Sequence, residues 1–242
     1  MNSFRADLHV HTCLSACAGV EMSPRRIAEE AKRKCLDILG VCDHNSAENA
    51  GAVAEAAGRL GIRVFPGLEI TSREEVHVLA LFETLESALS MQDEVYAHLT
   101  GENDEAAFGS QVVGSADDEV LGFNPRLLLS AVTLSLESVV DGVHTRQGLA
   151  IAAHIDRKAF GLLGQLGLIP ERLALDALEI SPRMTLEKAR ESIGSVLPLI
   201  RASDAHALRE IGLETTSFAL EAATVEELRK AFLGLEGRSV IH

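Results

Sequence analysis

Tryptophan is absent and tyrosine occurs once, so aromatic residues make up only 4% of the 242 residues. A chain this poor in rings must build its core from aliphatic side chains, and at 47% hydrophobic it has enough of them. Cysteine is scarce as well. Four cysteines (Cys13, Cys17, Cys35 and Cys42) in a chain of this length do not make a disulfide framework, which points to a reduced, cytoplasmic setting. Long apolar runs are missing. None reaches the ~18 residues of a membrane helix, and the opening MNSFRADLHV lacks the apolar stretch of a secretion signal. No membrane partner is expected. Blocks of Lys and Arg are missing too: 22 basic residues stand against 36 acidic ones, for a net charge of −14. That balance argues against duplex nucleic acid as a partner. An acidic protein that receives an anionic substrate needs local positive charge, and bound metal ions would supply it.

What the chain does have is an alternation. Apolar runs at 5–10, 37–42, 62–67, 76–82, 149–153, 175–180, 196–202, 216–222 and 238–242 are separated in many places by helical stretches. Several runs are apolar nearly throughout, as strands buried on both faces of a parallel sheet are. Ser23 and Pro24 open a helix at 23–34, residues 46–61 run from a Ser to a Gly, and Thr224 with Glu227 makes a capping-box start for 224–237. Alternating strands and helices predict an α/β fold with a mainly parallel sheet. About seven such units suit a closed or nearly closed β/α barrel better than an open sheet. The stretch 85–147 breaks the alternation. It reads as a helix, a hairpin over 109–123, and a second helical stretch from Asn124 onward. An insertion or cap of helix-hairpin-helix form, on a single domain spanning 1–242, is the expectation.

The unusual residues fall at the ends of the runs. His9 and His11 close the first, Asp43 and His44 follow the second, and Glu69 follows the third after a Pro-Gly pair. His154 follows LAIAA, and Asp204 and His206 follow VLPLIRA. In parallel β/α folds the strand C-termini gather on one rim, where sites are built. His77 is awkward, because it begins its run and reaches that rim only if its strand is reversed or short. A lone histidine beside a strand is more often an ordinary core or surface residue, and His98, His144 and His242 are read so. His9 and His11 differ, because residues i and i+2 of a strand share a face and two imidazoles there can chelate one ion. Imidazole with carboxylate suits Zn, Mn or Fe. The ligands are too many for one ion, so two or three metals are implied.

In this order DLHVHT, VCDHN, GLEIT, VHVLALF, AAHIDR and SDAH resemble the PHP (polymerase and histidinol phosphatase) family, across nearly the whole chain. HTCLSAC, CDHNSAEN and AAHIDR are similar to its small stand-alone branch, near the nucleoside-phosphate phosphatases. The resemblance implies a distorted (β/α)7 barrel, a three-metal site of Mn, Fe or Zn, and hydrolysis of phosphate esters. It implies that His9, His11, Glu69 and Asp204 hold one metal, and that Glu69 bridges to a second completed by His77 and His154. A third would take His44, His206 and a ligand from the loop after the first strand. Cys17 stands there where some members place a histidine, and a thiolate would favour Zn or Fe over Mn; the alternative is a small buried residue. Asp7 and Asp43 match motif positions near the metals, and Asp7 is read as orienting a histidine. A hydroxide held by the metals, with its pKa lowered toward ~7, would attack phosphorus in line. His44 or a metal-bound water would protonate the leaving group. Arg157, Lys158 and Arg183 follow strand ends and are candidates for binding the substrate.

The expected substrate is a small phosphate ester, a nucleotide or nucleoside bisphosphate first and a short oligonucleotide end next. Two other classes are open. An amidohydrolase-like metal hydrolase also begins with HxH, but usually bridges its metals with a carboxylated Lys where this chain offers Glu69. A non-catalytic metal-binding or regulatory module should have lost ligands, and here nearly every position is filled.

Overall fold

The computed structural model describes residues 1–193 and 197–241; His242 and the start of the 196–202 run lie outside them. Among the described residues, nine strands form one sheet. β1 (Asn2–Val10), β2 (Ile38–His44) and β3 (Arg63–Thr71) run parallel, as do β7 (Leu149–Ala152), β8 (Ala177–Glu179) and β9 (Leu199–Ile200). Between the two groups lies β4 (His77–Leu81), antiparallel to both β3 and β7. Its reversal follows from the connection. Only Ser72 to Val76 separate it from β3, and a parallel return needs a dozen residues or more.

The sheet closes through the segment after β9. Ala205 bridges Val10, with His11 N donating to Ala205 O at 3.1 Å and Ala205 N to His9 O at 3.3 Å. Lower down, Thr216 Oγ1 at the start of β10 (Thr216–Leu220) accepts from Arg201 N and donates to Arg201 O, both at 2.8 Å. β10 pairs with the first half of β1, and β11 (Ser239–Ile241) adds an outer edge. The result is a nearly closed, distorted barrel of the expected class.

Alternation sorts the core into two clusters. Ala6, Leu8, Ile38, Cys42, Phe65, Leu79, Leu81, Leu149, Ile151 and Ala177 fill the barrel interior, and α8 (Val225–Leu233) packs on the same cluster. The opposite faces, with Leu39, Val41, Val64, Leu68, Val78 and Ala150, meet the outer helices. Among these are α1 (Pro24–Arg33), α2 (Ala50–Gly58), α3 (Leu85–His98) and α5 (Leu136–Thr145). The period of two therefore aims His44, Glu69, His77 and Glu179 along the interior line that Ile38, Phe65, Leu79 and Ala177 define lower down.

Between α3 and α5 lie the short α4 (Glu105–Phe108) and the hairpin of β5 (Val112–Gly114) with β6 (Val120–Phe123). The hairpin falls within the expected span. Residues 124–135 are not helical, against expectation. Asn45 Nδ2 donates to the carbonyls of Leu128 and Ser130 at 2.8 Å, and Gln111 Nε2 to those of Asn124 and Arg126. These bonds take up backbone oxygens that a helix would use. The helix begins only where Ser135 caps it, accepting from Ser138 N.

Candidate metal centre

His9 lies in β1, His44 ends β2, Glu69 sits in β3, His77 begins β4 and Glu179 ends β8. His154 lies two residues beyond β7 in a left-handed backbone conformation (φ 29°), and Asp204 adopts another (φ 50°). Non-glycine residues held there mark places where surrounding structure overrides local preference. All these side chains meet at one rim of the barrel.

Three of them, His9, Glu69 and Asp204, surround a point together with His11, which follows the end of β1. His9 Nε2 lies 3.2 Å from His11 Nε2, 3.3 Å from Asp204 Oδ1 and 3.4 Å from Glu69 Oε1. His11 Nε2 lies 3.2 Å from Asp204 Oδ1 and 3.4 Å from Glu69 Oε2. A tetrahedron of N and O ligands ~2.0–2.1 Å from one ion has edges of ~3.3 Å. The tautomers agree with a cation there. Ser15 Oγ gives its single proton to Asp43 Oδ1 (2.6 Å), so it must accept from His11 Nδ1 (3.0 Å). His9 Nδ1 faces Glu179 Oε2 at 2.9 Å and donates to it. In the neutral imidazoles both Nε2 lone pairs then point at the same spot as two carboxylate oxygens. Only a positive charge satisfies that set, either protons on the rings or a metal ion.

Glu69 extends the cluster. Its Oε1 is 2.7 Å from His77 Nδ1 and 3.1 Å from His154 Nε2, and its Oε2 is 3.1 Å from His44 Nδ1. His44, Glu69 and His77 form one further ligand group, and His11, His44 and His206 another. His44 thus stands between two groups rather than in one. The Nδ1 atoms of His44 and His154 are buried without a hydrogen-bond partner, which costs free energy unless something fills the role. These residues fit a metal cluster. Cys17 lines the same cavity from the loop after β1, and it is exposed.

The charges answer one another. Burial pushes the Glu69 and Asp204 carboxyls up, but the facing imidazoles outweigh it and hold both below the usual range. Burial pushes His11 and His44 down, but the neighbouring carboxylates outweigh it and raise each to about 9, with Cys17 assisting at His44. At His77 and His206 burial prevails and lowers each to about 4.

Other predicted residues sit one step back. Asp43 accepts from Thr12 N and Oγ1 as well as Ser15, so it steadies His11 through the serine. Asp7 does not reach an imidazole side chain, contrary to the expected role. It accepts from Ser203 N, Ser203 Oγ and Gly212 N, and so anchors the segment that carries Asp204. Arg157 Nη1 lies 2.6 Å from Asp204 Oδ2. Arg157 lines both the 330 Å³ cavity over the ligands and a neighbouring 480 Å³ cavity, whereas Lys158 and Arg183 line only the second. His98 bonds Thr133 and His144 bonds Asp176. Glu179 was missed in the sequence; it is the penultimate residue of the run LDALEI and ends β8 at the same rim, the one signal that could have found it.

Residues 7–106 match the family model of the PHP domain. Over that stretch, less than half of its length, the chain is similar to the PHP domain. The match includes His9, His11, His44, Glu69 and His77; His154, Asp204 and His206 lie beyond it and join them through the fold. An uncharacterised protein of Methanocaldococcus jannaschii is 30% identical over 101 residues, 38% of this chain and 58% of that protein. The lesion-specific endonuclease Q of Pyrococcus furiosus superposes at a TM-score of 0.73 with 21% identity, covering 99% of this chain and 58% of its own. A candidate metal-dependent phosphoesterase of Bifidobacterium adolescentis gives a TM-score of 0.56 with 18% identity over 83% and 87% of the two chains. The chain thus shares its fold with these two solved structures, and it spans 58% of the length of the first two relatives.

One expectation is overturned. Endonuclease Q has also been crystallised on a 27-mer duplex with an abasic lesion at its active site, and that structure covers 98% of this chain at a TM-score of 0.72. Duplex nucleic acid is therefore not excluded for this fold. Net charge describes the whole surface, whereas phosphate is met locally, by cations beside the site.

Proposed function

We propose that this chain is a metal-dependent phosphoesterase acting on a small phosphate ester, with a nucleotide or nucleoside bisphosphate preferred. The observation that carries the proposal is Glu69, whose two oxygens lie within 3.4 Å of nitrogens from five different histidines. A carboxylate so placed suits a bridge between two ions. Bound divalent ions would acidify water and neutralise phosphoryl oxygens. His9, His11, Glu69 and Asp204 would hold one ion, and Glu69, His77 and His154 a second. We assign His206 and Cys17, with His44, to a third. Glu179 and the Ser15–Asp43 pair fix the tautomers, and Asp7 fixes the Asp204 segment. We further propose that residues 99–135 cap the mouth, where Leu129 joins the cavity wall.

The preference for a second phosphate rests on the neighbouring cavity. Arg157, Lys158 and Arg183 line it against one carboxylate, Asp156. Asp156 is already engaged by Ser181 N at 2.7 Å and Ser181 Oγ at 2.6 Å. The second reading, that the two phosphates belong to a nucleic-acid strand, is favoured by the fold shared with endonuclease Q.

The test loads the protein separately with Mn, Zn and Fe. It then assays nucleoside monophosphates, 3′,5′-bisphosphates, sugar phosphates and an abasic-site duplex. Phosphate release, fastest from the bisphosphate, is expected. Release of cut strands alone would move the assignment to the second reading. Full metal occupancy with no turnover of any phosphate ester would overturn both.

A further inference from the structure

Phe160 occupies a position that packing does not explain. The chain has eight phenylalanines, and Phe65, Phe82 and Phe218 are wholly buried. Phe160 is 38% exposed, and it lines the cavity that holds Glu69, His77 and His154. Its backbone is in the left-handed region (φ 61°), an outlier for a bulky residue. Two devices hold it there. His77 N donates to Phe160 O at 2.9 Å, and a Cβ on the following residue, Gly161, would collide with the carbonyl oxygen of Arg157. One face of the ring stacks on the His77 imidazole, with centroids 4.5 Å apart and planes 16° apart. The ring is therefore fixed in orientation, and what it exposes faces the cavity. Leu129 is the other apolar residue on that wall, and Arg157, three residues earlier on the same loop, is shared with the basic cavity.

We infer that Phe160 is a specificity-determining residue, the platform on which the nucleobase of the substrate stacks. The inference rests on the phosphoesterase reading above. A nucleotide places one sugar between its phosphate and its base, and Phe160 stacks directly on the imidazole that touches Glu69, so one ring separates it from the carboxylate. A flat, immobilised ring beside a phosphate-sized site favours a planar partner over an aliphatic one, because base–aromatic stacking is strong and tolerant of base identity. Adenine and uracil esters should both be accepted, while a phosphate ester without a ring loses the contact.

The test compares the metal-loaded parent with Phe160→Ala, Phe160→Leu and Phe160→Tyr. Substrates are a nucleoside 5′-monophosphate and ribose 5-phosphate, which lacks the base. Binding of 2-aminopurine riboside 5′-phosphate is followed by fluorescence, a readout that does not depend on turnover. For Phe160→Ala and Phe160→Leu, nucleotide KM and 2-aminopurine Kd should rise about 5- to 150-fold. Constants for ribose 5-phosphate should hold within about twofold, metal content should not change, and Phe160→Tyr should match the parent. Equal losses on both substrates, or Phe160→Leu behaving as the parent, would overturn the inference. A parent that quenches 2-aminopurine through Phe160 but turns over no ester would overturn the phosphoesterase reading instead.

Discussion

Glu69 and His9 show how much of the site depends on single atoms. Glu69 is the buried carboxylate shared by the imidazoles, and His9 can offer a lone pair only because Glu179 takes its other ring nitrogen. Partners of this kind are worth about 10–100-fold in metal affinity. Glu179→Ala should therefore weaken binding of at least one ion by about that factor, with the same stoichiometry at saturation, as read by competition with a chromophoric chelator. An unchanged affinity would mean that His9 keeps its tautomer without help. The residues legible in the sequence were those whose type was rare and whose position ended an apolar run: His9, His11, His44, His154, Asp204 and His206. Glu179 was not, because a glutamate one residue before the end of LDALEI looks like any surface acid until a partner 170 positions away is seen. The role of Asp7 was misread for a related reason. Position predicts proximity to the rim, and only packing decides which group a carboxylate meets.

At the scale of elements, β4 brings His77 to the site by running backwards. That outcome was half visible, since the five residues between β3 and β4 are too few for a crossover. The helical reading of 124–135 failed because Asn45 and Gln111 claim its backbone carbonyls from other parts of the chain. The loop after β7 is closely packed at two glycines. Added side-chain atoms at Gly161 would strike the carbonyl oxygen of Arg157, and at Gly164 those of Arg157 and Lys158. Gly161→Ala should displace the residues that carry Arg157 and Phe160. We expect a fall in melting temperature of roughly 2–8 °C, from about 1–2 kcal/mol in a protein of this size, and a rise in substrate KM larger than the loss in kcat. A Tm and KM equal to the parent's would show that the loop relaxes freely.

The whole molecule gathers six histidines, Glu69, Glu179 and Asp204 at one end of a barrel whose remaining interior is apolar. Such a concentration of ligating groups couples metal binding to folding. An ion at a hundred times its Kd adds about 2.7 kcal/mol, so chelation should lower the melting temperature by roughly 5–11 °C per ion lost, with recovery on adding metal back. Because protons and metals compete for the same nitrogens, the recovery should weaken as pH falls. A melting curve indifferent to chelator would argue against a resident metal. No helix among the described residues is long and apolar enough to cross a membrane. The net charge of −14 misled on one point, the exclusion of duplex nucleic acid, since a local cluster of Arg157, Lys158 and Arg183 can face phosphate within an acidic whole.

Residue type and periodicity by themselves determined the α/β class, the barrel and most of the His, Asp and Glu residues that gather at one rim. These depend on local rules: apolar runs make strands, and strands that share a direction end on one rim. The tertiary structure alone decided which carboxylate oxygen meets which imidazole and which tautomer each ring holds. It also decided that His44 stands between two groups and that Phe160 turns its ring into the cavity. Those outcomes depend on contacts between residues tens to nearly two hundred positions apart, which no local pattern records.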